Sequence, residues 1–210
     1  MKFSFYRPLG YPAGCYRVGP LARLNVAAFA GTPRADCELT EFKQRSAGAV
    51  CESFHYHLAR LVEMLHAIER IGELMDDKNL FGEDVQAKAP LNHREGAGSC
   101  EAPRGTLFHR YQVDGDGLIT RADLLIATSQ NNHAMNRALA GTARHFLRNL
   151  PPGHDPDEGI LNRLEAAIRC FDPCLSCSTH ALGDMPLAIE WIGPDGARLR
   201  HVARPSRCEL

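Results

Sequence analysis

The sequence predicts a mainly α protein with small β hairpins, an α+β chain, and three observations carry that expectation. Apolar residues recur three or four positions apart across residues 39–76. Two later stretches, about 132–150 and 155–173, repeat helical spacing between start and stop signals. Strand-like runs come in pairs around short turns rich in Gly and Asp.

Residues 1–35 are rich in Gly and Pro and are expected to be mostly irregular, with a short helix around Leu21 to Phe29. Residues 39–76 form the strongest helical stretch. Phe54, Leu58, Leu61, Leu65, Ile68 and Ile71 make one apolar stripe on it, suited to a core or a subunit contact. Arg60, Glu63, Glu69 and Glu73 lie largely off that stripe, and Asp76-Asp77 ends the helix. Residues 78–104 read as loop. Gly105 to Val113 and Leu118 to Ala127 read as two strands joined by Asp114-Gly115-Asp116-Gly117. A helix from about Asn132 to Leu150 is stopped by Pro151-Pro152. Asp155-Pro156-Asp157-Glu158 supplies an N-cap acid, a first-turn Pro and a capping-box Glu for the next helix, which runs to Pro173. Pro186 to Ile192 and Ala197 to Val202, around a turn at 193–196, form a final hairpin.

The chain has 210 residues, enough for one core with appendages, and is 44% apolar and 23% charged with a formal net charge of −1. That balance, without a basic block, argues against nucleic acid as a partner. No apolar run reaches the length of a membrane span, and residues 1–12 hold no signal-peptide apolar block, so a cytoplasmic protein is expected. Eight cysteines are many for that compartment. Cys15, Cys37, Cys51, Cys100 and Cys208 are scattered, whereas Cys174 and Cys177 form a CxxC with His180 three residues on and Cys170 one turn before.

Two thiolates at that spacing can converge on one soft metal ion. The spacing alone leaves three readings open. A thioredoxin-like redox pair wants its first Cys at a helix N-terminus, where the dipole favours the thiolate. A zinc knuckle wants two more ligands at suitable spacing. A half-site is completed by ligands from another chain.

The wider motif resembles a known family. Asp172-Pro173-Cys174, Cys177 and His180 are similar to the C-terminal signature of nickel–iron hydrogenase large subunits, and Glu101-Ala102-Pro103-Arg104-Gly105-Thr106-Leu107-Phe108-His109 resembles an upstream motif of that family. Tyr16 to Asn25, Ser53 to His57, Ala127 to Asn132 and Leu161-Asn162-Arg163 also resemble it, in order from about Leu9 to Leu187. The wording Cys-Leu-Ser-Cys-Ser-Thr-His at 174–180 looks most like the bidirectional, NAD-reducing branch.

The resemblance implies the C-terminal portion of the large-subunit fold and an oxidoreductase that oxidises hydrogen reversibly. It implies nickel held by four cysteines, two of them bridging to an iron that carries CO and cyanide, with a position left open where hydrogen is split. Cys174 matches the terminal nickel ligand and Cys177 the bridging one. Arg104 matches the arginine above the open position, Pro103 shapes the same roof, and Asp172 matches the carboxylate that orients the arginine. His180 matches a ligand of a nearby magnesium, with the backbone carbonyl near Leu124 as a second.

The family's other cysteine pair, Arg-x-Cys-Gly-x-Cys, is absent from this sequence. The chain is therefore expected to be a fragment or split half, inactive alone, with residues 1–180 as half of a catalytic domain. Residues 181–210 resemble the tail that a maturation endopeptidase removes. Implied partners are the missing N-terminal half, an iron–sulfur small subunit and NAD-binding diaphorase subunits, because no dinucleotide fingerprint occurs here. The alternatives are an inactive remnant or docking module, and a zinc or redox CxxC protein. Asp114 to Asp123 imitates an EF-hand loop, but Gln112 stands at its first position and Asp123 replaces the closing Glu, so a hairpin turn is expected. His55, His57 and His66 lack paired ligand spacing and read as polar helix residues.

Overall fold

The computed structural model describes residues 4–83, 85–86, 92–148, 158–174, 187–192 and 195–204. It separates into two compact units, residues 1–173 and 174–210.

In the first unit, helix α1 (Pro20–Val26) begins on a proline, where the missing N–H costs no hydrogen bond. Helix α2 (Pro33–Lys43) also begins on proline, and its N-terminal end is closed by a glutamate from the next helix. Glu69 on α3 (His55–Met75) accepts from the Arg34 and Ala35 amides at 3.2 and 3.1 Å, placing an anion at the positive end of α2. The continuous helix expected over 39–76 is thus two helices. The break has a tertiary cause: Asn25 of α1 grips the Val50 peptide, accepting from its N–H at 2.8 Å and donating to its carbonyl at 2.9 Å. Val50 is buried there, outside any helix.

The core gathers Leu21 and Leu24 of α1, Leu39 and Phe42 of α2, and Tyr56, Ala59 and Val62 of α3. Its α3 face is therefore not the predicted stripe. Leu58 and Leu65 pack against the core, but Phe54, Leu61, Ile68 and Ile71 are each more than half exposed. Large apolar side chains at helical spacing have been left in solvent on one side of a 21-residue helix.

Residues 78–104, expected as loop, contain a 3-10 turn at Lys78–Phe81 and a full strand, β1 (Glu95–Ala102). Its sequence, Glu-Gly-Ala-Gly-Ser-Cys-Glu-Ala, carries no β-branched or aromatic residue, so propensity could not announce it. Pairing with β2 (Gly105–Val113) creates it: Ala102 lies opposite Gly105, leaving Pro103-Arg104 as a two-residue turn. Strand β3 (Ile119–Leu125) completes the antiparallel order β1-β2-β3. The Asp114 carboxylate accepts from the Asp116 and Leu118 amides at 2.9 and 3.0 Å, so the EF-hand imitation is a hairpin turn, as its ligand positions predict.

Helix α4 (Ala127–Leu147) starts five residues before the expected Asn132 and buries Gln130 and Asn131 near its start. Helix α5 (Glu158–Arg169) packs on α4 and delivers the chain to Asp172. In the second unit, β4 (Leu187–Ile192) and β5 (Arg198–Arg204) form the expected antiparallel hairpin. The fold is thus helices with two small antiparallel sheets, as the sequence predicts. No helix among the described residues is long and apolar enough to cross a membrane.

Candidate functional site

One buried peptide organises the site. Val18 N–H donates to Asn131 Oδ1 at 2.9 Å, and the Val18 carbonyl accepts from Asn131 Nδ2 at 3.0 Å and from the Tyr56 hydroxyl at 3.1 Å. Burial pushes the Tyr56 pKa up to about 12, so this hydroxyl stays a donor at any ordinary pH. The loop before α1 is thereby pinned between α3 and α4.

The pinned loop in turn receives the β1–β2 turn. A Cβ on Gly19, whose φ is +100°, would lie 2.7 Å from the Arg104 carbonyl oxygen. A Cβ on Gly105, at φ +142°, would lie 2.5 Å from Val18 Cγ2. Only glycine permits both the backbone angles and this approach. Gln130 Nε2 donates to the Thr106 carbonyl at 2.6 Å, and the Tyr16 hydroxyl donates to Gln130 Oε1 at 3.0 Å. The turn carrying Pro103 and Arg104 is fixed to the helices from two sides.

Arg104 then reaches across to the end of α5. Its Nε donates to the Asp172 backbone carbonyl at 2.8 Å and lies 3.2 Å from Asp172 Oδ2, while Nη2 lies 3.5 Å from Oδ1. Asp172 has φ +46°, a left-handed conformation uncommon for a residue with a Cβ. Its approach is also clamped: Arg60 on α3 donates to the Cys170 carbonyl from both Nη1 and Nη2 at 2.9 Å. Phe171 packs on the Tyr56 ring with centroids 5.1 Å apart. Cys170, the cysteine nearest the CxxC, is fully buried and burial raises its pKa, so it is a core thiol here.

Both members of the Arg104–Asp172 pair are nearly half exposed, with side chains 44% and 45% accessible. At such exposure an ion pair contributes at most about 1 kcal/mol. The pair therefore adds little to stability.

Of the residues singled out in sequence, the structure brings Pro103, Arg104 and Asp172 together. Leu124 sits on β3 opposite His109, half exposed. Cys174 stands at the start of the second unit. Cys177 and His180 lie outside the described residues. Cys15, Cys37, Cys51 and Cys100 are free thiols, and no group of three metal-ligating side chains occurs among the described residues. A permanently cationic fork beside a carboxylate suits small anionic ligands of a metal. In donor type these residues fit one wall of the implied centre; in number of sulfurs they fall short of it. Sequence reading missed Asn131, Tyr56, Arg23 and Arg60. The signal available for Asn131 was its place in the Ala127 to Asn132 stretch that resembles the family.

With this geometry in place, the comparisons with known proteins are direct. The chain belongs to the nickel-dependent hydrogenase family, whose profile matches residues 1–180. Among curated relatives, it is 42% identical over 208 residues to the NAD-reducing hydrogenase HoxS subunit beta of Cupriavidus necator, covering 97% of this chain and 42% of that protein. Its structure is similar to a crystal structure of an NAD+-reducing [NiFe]-hydrogenase in the H2-reduced state, with a TM-score of 0.75 at 42% identity, covering 84% of this chain and 38% of that one. The chain therefore spans about two fifths of the length of the relatives it matches.

The two contributions of Asp172 are separable. Asp172→Asn keeps a residue tolerant of the left-handed region and should change stability by less than about 1 kcal/mol. Asp172→Val adds a branched side chain at φ +46° and should cost about 1–3 kcal/mol. Urea denaturation of the full chain, followed by circular dichroism, distinguishes them; equal losses would mean that the backbone there is unstrained.

Proposed function

We propose that this chain supplies one wall of the hydrogen-splitting centre of a cytoplasmic, NAD-linked nickel–iron hydrogenase. The observation that carries the reading is the Arg104–Asp172 pair, held by a strained backbone and two rigid clamps yet left open on one side. Family membership and the likeness to an NAD-reducing relative support it.

In this reading Cys174 and Cys177, as thiolates, would hold the nickel–iron centre, and His180 with the carbonyl near Leu124 would hold a magnesium ion. The metals, with CO and cyanide on iron, supply the site at which hydrogen is polarised and cleaved. The chain's own residues do the rest. Arg104 presents fixed donors toward bound cyanide, and its charge never titrates away at working pH. Asp172 holds the guanidinium in direction through Oδ2 and its backbone carbonyl. Pro103 stiffens the turn and presents an apolar surface above the centre.

A centre of four sulfurs needs two that this sequence does not place beside the CxxC. They would come from the polypeptide corresponding to the rest of the relatives' length. The exposed stripe of α3, with Leu61, Ile68 and Ile71, offers that polypeptide an apolar seat. Electrons would leave through an iron–sulfur small subunit to a diaphorase that binds NAD. A zinc or thiol-redox role is the second reading, resting on the CxxC spacing of Cys174 and Cys177.

Co-expression with the complementary half and the maturation machinery tests the proposal. Nickel should be retained, with infrared bands of metal-bound CO and cyanide, and Cys174→Ser should abolish both. Cycling of a disulfide without nickel would favour the redox reading instead. In the same system Leu61→Asp with Ile68→Asp should abolish co-purification of the two halves; unchanged recovery would remove the stripe from the interface. Residues 181–210 are proposed to be a tail removed on maturation, so mass spectrometry of loaded protein should find the chain ending at His180. An intact Leu210 in active enzyme would contradict that.

A further inference from the structure

The Pro103-Arg104 turn has a second tether, from a side chain with no place in the reading above. Arg23, on α1, directs every donor it owns at an acceptor. Nε and Nη2 donate to the two oxygens of Glu63 at 2.6 and 2.7 Å. Nη1 donates to Glu101 Oε2 at 2.7 Å and to the Ala102 carbonyl at 2.9 Å. Nη2 also donates to the Pro103 carbonyl at 2.9 Å. A guanidinium has five N–H donors in a fixed plane, and these contacts use all of them.

Burial works against the charge of Arg23, but hydrogen bonds and attraction from Glu63 and Glu101 outweigh it and hold its pKa above the ordinary arginine value. The group is a permanent cation locked by two carboxylates. What it holds in turn are the carbonyls just before Arg104. In a two-residue turn the central peptide is the part free to rotate, since the flanking residues are paired in the ladder. Rotation of the Pro103–Arg104 peptide would re-aim the Arg104 side chain. A donor on the Pro103 carbonyl blocks that rotation.

We propose that Arg23 is a positioning residue for Arg104: by gripping the Ala102 and Pro103 carbonyls while braced on Glu63 and Glu101, it sets the direction in which the Arg104 guanidinium faces the metal centre. This rests on the reading of Arg104 as the roof of that centre. The bland account is that Arg23 only ties α1 to α3 through Glu63. The two differ over Arg23→Lys. An ammonium retains the charge and a bond to Glu63, but its three donors cannot span two carboxylates and two carbonyls.

The test uses two preparations of Arg23→Lys, with Arg104→Lys in parallel. In the full chain, hydrogen exchange by mass spectrometry is read over residues 101–106. In the metal-loaded assembly, the cyanide infrared bands are recorded with kcat and KM for hydrogen. The proposal predicts faster exchange across the turn, shifted cyanide bands, and a kcat lowered about 10- to 100-fold with KM little changed. Wild-type exchange in Arg23→Lys overturns it, even if that variant fails to load metal. Wild-type bands in loaded Arg23→Lys, while Arg104→Lys shifts them, also overturn it and leave the centre's assignment standing. Wild-type bands and turnover in Arg104→Lys overturn the assignment itself, and the positioning role with it.

Discussion

The arrangement hangs on one buried peptide, that of Val18, which is held by Asn131 and Tyr56 on all its polar atoms. Three elements distant in sequence, the loop before α1, α3 and α4, meet there. Gly19 follows directly, and its missing Cβ lets the Arg104 carbonyl approach. Loss of any of these contacts would free the turn that carries Arg104 without touching Arg104 itself.

From that anchor, rigidity passes outward by clamps on both halves of the ion pair. Arg60 holds the carbonyl of Cys170, two residues from Asp172, and Phe171 is buried against Tyr56 between them. On the other side the β1–β2 turn is wedged between Gly19 and Gln130. The pair so positioned is itself half in water, where its attraction is weak. Firm support beneath weakly interacting, exposed charges is consistent with the proposed role of the pair as one wall of a site. The exposed apolar stripe of α3, with Leu61, Ile68 and Ile71, is compatible with the same proposal.

One pairing was legible in the sequence only through resemblance. Two motifs 68 residues apart, one carrying Arg104 and the other Asp172, converge as an ion pair, and nothing but their likeness to one family joined them beforehand. Helix α5 and the final hairpin lie where local signals put them, but α5 ends at Arg169 rather than Pro173. The Pro151-Pro152 stop and the cap at 155–157 lie outside the described residues. Local signals failed where tertiary contacts ruled. The 39–76 stretch is cut because Asn25 claims the Val50 backbone. Strand β1 exists because β2 pairs with it, despite a composition of Gly, Ala, Ser and Glu. The α3 stripe was read as core or contact from its period, and period alone cannot say which partner buries it. The roles of Arg23 and Arg60 were not legible, because an arginine in sequence gives no sign of the carbonyls it will meet.

Nickel K-edge X-ray absorption of the assembled complex tests most directly whether this chain forms a wall of a metal site. A nickel spectrum dominated by sulfur scattering, which loses sulfur on Cys174→Ser while the complex stays intact, is the predicted result. A nickel environment of nitrogen and oxygen alone, or one unaltered by that substitution, would contradict the account.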